Sequence, residues 1–181
     1  MNQYMKHITA LKHSIAIVNS CTNFHGLLCQ ILLFLGQMYS YGLNNPKDKV
    51  YSTKESSSKE DDSYLGYSSV TGDFTGDGIQ GVAVGMPRGG GLLGKVLVFS
   101  WNLTNHANIT GEQIGAYFGY SLCSIDVDGD KLEDLIIGAP MYTEPNNEGK
   151  YENGRVYIAY QNKFVRTSNW HLKSFNELIL H

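Results

Sequence analysis

The chain repeats itself. "YLGYSSVTGDFTGDGIQGVAVGMP", starting at Tyr64, aligns without a gap over 24 residues with "YFGYSLCSIDVDGDKLEDLIIGAP", starting at Tyr117, at an offset of 53. Gly66 meets Gly119, Ser68 meets Ser121, Asp73 meets Asp126, Gly85 meets Gly138 and Pro87 meets Pro140. A second block follows in each unit, "GKVLVFSW" from Gly94 and "GRVYIAYQ" from Gly154, now at an offset of 60. The seven additional residues fall in the polar "YTEPNNEGKYEN", which places an insertion in a surface loop outside the sheet. A fixed period of this size is a strong constraint on the fold. Each unit is one supersecondary module that buries its apolar face only against its neighbours.

Within a unit the order reads strand, acidic turn, strand, loop, strand. "GVAVG" and "DLIIGAP" are short apolar runs bounded by turn residues, as in strands buried on both faces. "KVLVFSW" and "RVYIAY" are rich in β-branched and aromatic residues and each follows a glycine. Of the 20 glycines, 13 lie between Gly66 and Gly119, which predicts many tight turns and short strands. No segment between 64 and 161 has a helical period. The expected fold is all-β, with units of about four strands that match the blades of a β-propeller.

Bulk numbers narrow the classes. The 181 residues are enough for one ordinary domain, and 42% hydrophobic with 17% charged residues fits a globular chain. A net charge of −3 without a sustained basic run argues against a nucleic-acid partner. There are three cysteines, Cys21, Cys29 and Cys123, and an odd count excludes full internal pairing. Cys123, in "YSLCSID", is expected to be a buried free thiol. "GLLCQILLFLG", residues 26 to 36, has the size of a signal-peptide core but is too short to span a membrane. It starts late in the chain, so a buried strand or non-native sequence is the preferred reading.

The chemistry sits in the two acidic turns. In "DVDGDKLED", Asp126, Asp128, Asp130 and Asp134 hold positions 1, 3, 5 and 9, and the Leu132 carbonyl at position 7 adds a backbone oxygen. Hard oxygens at alternating positions of a glycine-containing turn converge on one point and suit Ca²⁺. Mg²⁺ fits less well, because it demands a small octahedral site. Glu133 is expected to turn away, since its neighbours on both sides point inward. An EF-hand is rejected: position 12 is Ile137 where a bidentate glutamate is needed, position 6 is Lys131 where glycine is needed, and the turn joins strands. The first loop, "DFTGDGIQG", offers Asp73, Thr75, Asp77, the Ile79 position and Gly81. It lacks the carboxylate at position 9 and is expected to be the weaker Ca²⁺ site. A solvated acidic turn is the competing reading for both, and the stronger competitor at the first.

Two glycosylation sequons, Asn102-Leu103-Thr104 and Asn108-Ile109-Thr110, stand in "NLTNHANITGEQ", read as a polar loop after a strand. No nucleophile with a nearby base stands out, and the six histidines are scattered. Catalysis is not expected.

These motifs resemble the FG-GAP repeats of integrin alpha subunits. "YLGYS" and "YFGYS" match the FG element, and "VGMP" and "IGAP" match the GAP element, with the calcium loop between. "DDSYLGYSSVTGDFTGDG", "NITGEQIGAYFGYS" and "IIGAPMY" are most similar to insect position-specific integrin alphas of the arginine-glycine-aspartate-binding type. The resemblance covers about 36 to 161 and divides the chain as follows. Residues 36–63 would end a preceding blade and make an inter-blade loop, 64–116 one repeat and 117–161 an incomplete second, with 1–35 and 162–181 unassigned. It implies a partial seven-bladed propeller at the extracellular face of the plasma membrane. It further implies a beta subunit as partner, and extracellular-matrix ligands bound by the complete receptor in adhesion and signalling. In the segment resembling the family's last ligand-contacting loop, the position of an acid reads "MYSY", so no ligand-contact residue is carried over. The termini match no part of the family, and no transmembrane helix or clear signal is legible; a truncated or misassembled gene product is the expected origin. The alternatives are an FG-GAP accessory domain of a secreted enzyme such as a phospholipase, or a soluble binding module.

Overall fold

A computed structural model describes residues 15–19, 28–32, 37–40, 51–53, 62–144, 152–161 and 171–175. Every regular element among them is a β-strand, and the strands form three antiparallel sheets of four, each a meander in chain order. The first comprises β1 (Ile15–Asn19), β2 (Leu28–Leu32), β3 (Gln37–Ser40) and β4 (Tyr51–Ser52). The second comprises β5 (Ser69–Gly72), β6 (Gly81–Met86), β7 (Lys95–Phe99) and β8 (Asn105–Thr110). The third comprises β9 (Ser121–Ile125), β10 (Asp134–Ala139), β11 (Arg155–Tyr160) and β12 (His171–Phe175). Four-stranded antiparallel meanders agree with the all-β propeller-blade class expected, although three sheets have four strands each where one complete unit was expected. β1 and β2 lie within residues 1–35 and β12 within 162–181, the two stretches that the family resemblance left unassigned. The loop "TKESSSKEDDS" falls mostly outside the described residues.

Period-two alternation sorts side chains between the seams. On β6, Val82, Val84 and Met86 join Met38, Leu65, Phe99 and Leu103 in a core facing the first blade. Ala83 points the opposite way, into a core with Val96, Val98, Phe118, Leu135, Ile137 and Tyr157 of the second and third blades. β6 is therefore buried at all six positions, as its continuous apolar run implies. Leu135, Ile137 and Ala139 of β10 occupy the places held one repeat earlier by Val82, Val84 and Met86. Phe118, the aromatic of the FG element, meets Tyr157 edge-on with ring centroids 5.0 Å apart, a favoured quadrupole arrangement.

The described residues on either side of the β10–β11 connection are held together. The Arg155 guanidinium stacks 3.6 Å from the centroid of Tyr142 and pairs with Glu144 at 2.6 Å and Glu112 at 3.5 Å. The backbone N–H groups of Asn153 and Gly154 both donate to the Tyr142 carbonyl.

Two expectations are corrected. Cys123 is exposed, because β9 is an edge strand on which Ser121, Cys123 and Ile125 point away from the core. "NHANIT" is strand β8 rather than loop. Its Ala107 and Ile109 alternate into the core while Asn105, His106, Asn108 and Thr110 stay exposed, so polar outer positions mask a two-residue period. No helix among the described residues is long and apolar enough to cross a membrane.

Candidate metal centre

The two acidic turns occupy equivalent places, one joining β5 to β6 and the other β9 to β10. Each winds around its first aspartate. In the first turn Asp73 Oδ1 accepts from the backbone N–H groups of Thr75, Gly76 and Asp77, and Oδ2 accepts from that of Gly78 at 2.7 Å. In the second, Asp126 Oδ1 accepts from Gly129 N–H at 2.7 Å and Oδ2 from Lys131 N–H at 2.9 Å. Asp128 Oδ1 accepts from Asp130 N–H, and Asp130 Oδ1 from Leu132 N–H. Carboxylates thus satisfy the turn's own donors, the ordinary reason for aspartate in tight turns.

The second turn does more than close. Asp126, Asp128 and Asp130 bring one carboxylate oxygen each to within 4.8 Å of one another. Oxygens about 2.4 Å from one central ion can span that distance, so the donor set fits Ca²⁺ in size and in hardness. Asp134, the expected ligand at position 9, is not one of these three; it is 1% exposed, with Oδ2 accepting from Val127 N–H and Oδ1 from Gln161 N–H. Burial pushes its carboxyl above the usual range; those two N–H groups pull it down, and the charges of Asp128 and Asp130 push it up again. A cation held among these groups would relieve that repulsion. Leu132, whose carbonyl is the expected backbone ligand, is buried at the end of the turn.

The first turn gathers less. It supplies the carboxylates of Asp73 and Asp77 and the Thr75 hydroxyl, which lies 3.4 Å from Asp73 Oδ1. Ile79 is half exposed where Leu132 is buried. Gly81 takes the place of Asp134, and a Cβ there would overlap the carbonyl oxygen of Phe99. The missing acid is a matter of space as well as sequence.

Sequence reasoning missed the contacts of two residues that shape the centre, Glu133 and Gln161. Glu133 turns away from its own turn, as expected, but accepts hydrogen bonds at 2.9 Å from both Ser124 Oγ and the backbone N–H of Asp73. Gln161 donates its N–H to Asp134 from the end of β11. No local motif signals the Asp73–Glu133 or Asp134–Gln161 contact, because each joins segments more than 25 residues apart. Of the sequon asparagines, Asn108 is exposed on β8. Asn102 is half-buried in the β7–β8 turn, accepting from Ser100 Oγ and Thr104 N–H.

Comparisons with known proteins agree with this architecture. The family model described as FG-GAP repeat matches residues 118–158. Integrin alpha-PS2 of Drosophila melanogaster is 58% identical over 136 residues, covering 75% of this chain and 10% of that protein. Integrin alpha-V of Gallus gallus is 45% identical over 123 residues, covering 62% and 12%. Integrin alpha pat-2 of Caenorhabditis elegans is 35% identical over 138 residues, covering 70% and 11%. The chain spans about a tenth of the length of these curated relatives. By its repeat, its four-stranded blades and these likenesses, the chain is an FG-GAP repeat protein related to the integrin alpha subunits.

Proposed function

We infer that the chain is a calcium-binding segment of an integrin alpha-type propeller that serves adhesion and signalling beside a beta subunit rather than catalysis. The observation that carries the metal reading is the convergence of Asp126, Asp128 and Asp130. With the Leu132 carbonyl they form the stronger site; Asp73, Thr75, Asp77, Ile79 and Gly81 form the weaker. When bound, Ca²⁺ supplies a fixed positive charge among mutually repelling carboxylates and rigidifies the turn ahead of β10. Calcium modules of the extracellular kind have dissociation constants on the order of 10⁻⁴ to 10⁻³ M. Calorimetric titration of the chain should show uptake in that range, and Asp130→Ala should abolish the tighter phase. Heat unchanged by that substitution would return the stretch to a solvated acidic turn.

The partner and location follow from kinship. A beta subunit at the extracellular face of the plasma membrane, and matrix ligands held by the whole receptor, are what the relationship supports. Co-purification of a beta subunit with a full-length form carrying this segment tests it; recovery of the alpha chain alone from the cell surface would contradict it. The accessible Asn108 and the turn residue Asn102 are the glycosylation sites of this reading. Deamidation at either asparagine after glycosidase treatment of cell-surface protein would support that, and two unmodified asparagines would refute it.

A further inference from the structure

We propose that Glu133 is a clasp through which cation binding in the 126–134 turn orders the neighbouring blade's 73–81 turn. The inference rests on the calcium reading of the second turn and requires no ion in the first. Leu132 and Asp134, at positions 7 and 9 of the turn, flank Glu133 on the chain. Asp134 begins β10 and its carboxylate points back to Val127 N–H and Gln161 N–H, so Glu133 beside it faces the other way, and a cation that orders the turn would hold it there. Glu133 then projects toward the second blade, where its Oε2 accepts from the backbone N–H of Asp73, while Ser124 Oγ of its own blade donates to the same oxygen, both at 2.9 Å. Asp73 is the hub of its own turn, holding the N–H groups of Thr75, Gly76, Asp77 and Gly78.

The socket is shaped for this carboxylate. A Cβ on Gly72 would overlap Glu133 Oε2 and would stand 2.6 Å from Ser124 Oγ and 2.9 Å from the Phe74 ring. An ionised acceptor taking two donors in a half-buried seam makes charge-assisted bonds, stronger than neutral ones. One repeat earlier the same position is Gln80, so the charge is a property of this seam and not of the repeat. Glu133 is a positioning residue: it touches no cation and acts through the Asp73 amide.

Millisecond quenched-flow hydrogen exchange, read by mass spectrometry on the full chain with and without millimolar Ca²⁺, tests the clasp. In the unsubstituted chain Ca²⁺ should slow exchange in both 126–134 and 73–81, by at least about fivefold, the lower end of typical coupling between sites. Asp130→Ala should remove protection from both segments. Glu133→Ala should keep protection of 126–134 and lose that of 73–81, while Glu133→Gln, which retains an acceptor oxygen, should restore most of it. Protection of 73–81 that survives Asp130→Ala or Glu133→Ala would mean that the first turn responds by itself and would overturn the clasp. Protection of 126–134 alone in the unsubstituted chain would overturn it while leaving the calcium reading intact. Absence of protection in both segments would remove the calcium reading, and the clasp with it.

Discussion

Ser68 Oγ donates a 2.7 Å hydrogen bond to the carbonyl oxygen of Gly119, across the seam between the second and third blades. Both residues belong to the FG element, one in each repeat. Gly85 completes the seam: its N–H donates to the Ser68 carbonyl, and a Cβ on it would overlap the Gly119 oxygen. Serine and glycine therefore recur at fixed places because one blade's backbone lies directly on the next.

That relationship separates two substitutions. Ser68→Ala leaves the Gly119 carbonyl without its donor and should cost about 1–3 kcal/mol of stability. Gly85→Ala drives a methyl group into backbone that cannot move without opening the seam, and should cost more. Urea denaturation of the two variants checks the order; an equal or smaller loss in Gly85→Ala would show that the blades separate easily.

A second prediction concerns alkaline pH. Burial and the nearby Glu112 charge push the Tyr157 phenol up to about 12, although Arg155 pulls it down. A folded-state value above the ordinary 10 means that the native chain holds this proton more tightly than the unfolded chain does. Its contribution is complete below pH 10 and is lost as pH rises toward 12, to the extent of roughly 2–3 kcal/mol. Tyr157→Phe has no proton to lose. The stability gap between wild type and Tyr157→Phe, followed by urea midpoints from pH 8 upward, should move against the wild type above pH 10. A gap that stays constant would place the phenol in water.

A third follows from the backbone of the second acidic turn. Lys131 has φ of 70°, and its counterpart one repeat earlier is Gly78 at 80°. The left-handed conformation costs an L-residue roughly 1–2 kcal/mol. Lys131→Gly relieves that cost but gives the unfolded chain more freedom, so the net gain should be at most about 1 kcal/mol. Gly129, at φ 82° with open space where a Cβ would go, should lose about 1 kcal/mol as Gly129→Ala through backbone strain alone. Thermal melts of both variants decide the signs. Destabilisation by Lys131→Gly would mean that the lysine side chain contributes something the backbone does not reveal.

A fourth concerns the outer face of the third blade. Ile136 and Ile158 are half-buried, whereas Ala83 and Val98, which they replace one repeat on, are fully buried against the next blade. The 181-residue polypeptide by itself should self-associate at micromolar concentration through this face and its open strand edges. Sedimentation should show Ile158→Lys shifting it toward monomer. A monomeric wild type with a sharp melt would contradict this.

The two repeats were legible because glycine, serine and aspartate fall at one offset, and backbone packing allows few substitutes there. The acidic cluster was legible for a related reason, since carboxylates at alternating positions of a tight turn converge, as those of Asp126, Asp128 and Asp130 do. β1 and β12 were not legible, because strand pairing through backbone groups leaves no residue signature when the repeat pattern is absent; β2 lies in the apolar run 26–36, for which a buried strand was one of the two preferred readings. β8 was hidden by its polar outer positions, and the exposure of Cys123 by the apolar run around it. Contacts such as Glu133 with Asp73 depend on how two blades sit together, which no local pattern encodes.

Gly81 provides the sharpest separation between pattern and packing. From sequence alone, an aspartate at this position would complete the first acidic turn, since Asp134 stands there in the second. The Phe99 carbonyl occupies the space that any side chain at Gly81 would need, and Phe99 itself is buried in the core against the first blade. Gly81→Asp therefore adds charge to a place where the carboxylate cannot lie without displacing β7. It should lower stability by about 2 kcal/mol or more, in the range of overpacked cores, and leave calcium affinity of the first turn no higher. Thr75→Asp has no such obstacle, because Thr75 already directs its hydroxyl toward Asp73. It adds a third carboxylate at position 3, where Asp128 stands in the second turn, and should tighten calcium binding, since affinity rises with ligand charge. Calorimetry on the two variants, each in an Asp130→Ala background to silence the second turn, compares them directly. Tighter binding by Gly81→Asp than by Thr75→Asp would show that β7 yields and that spacing, rather than room, limits the first turn.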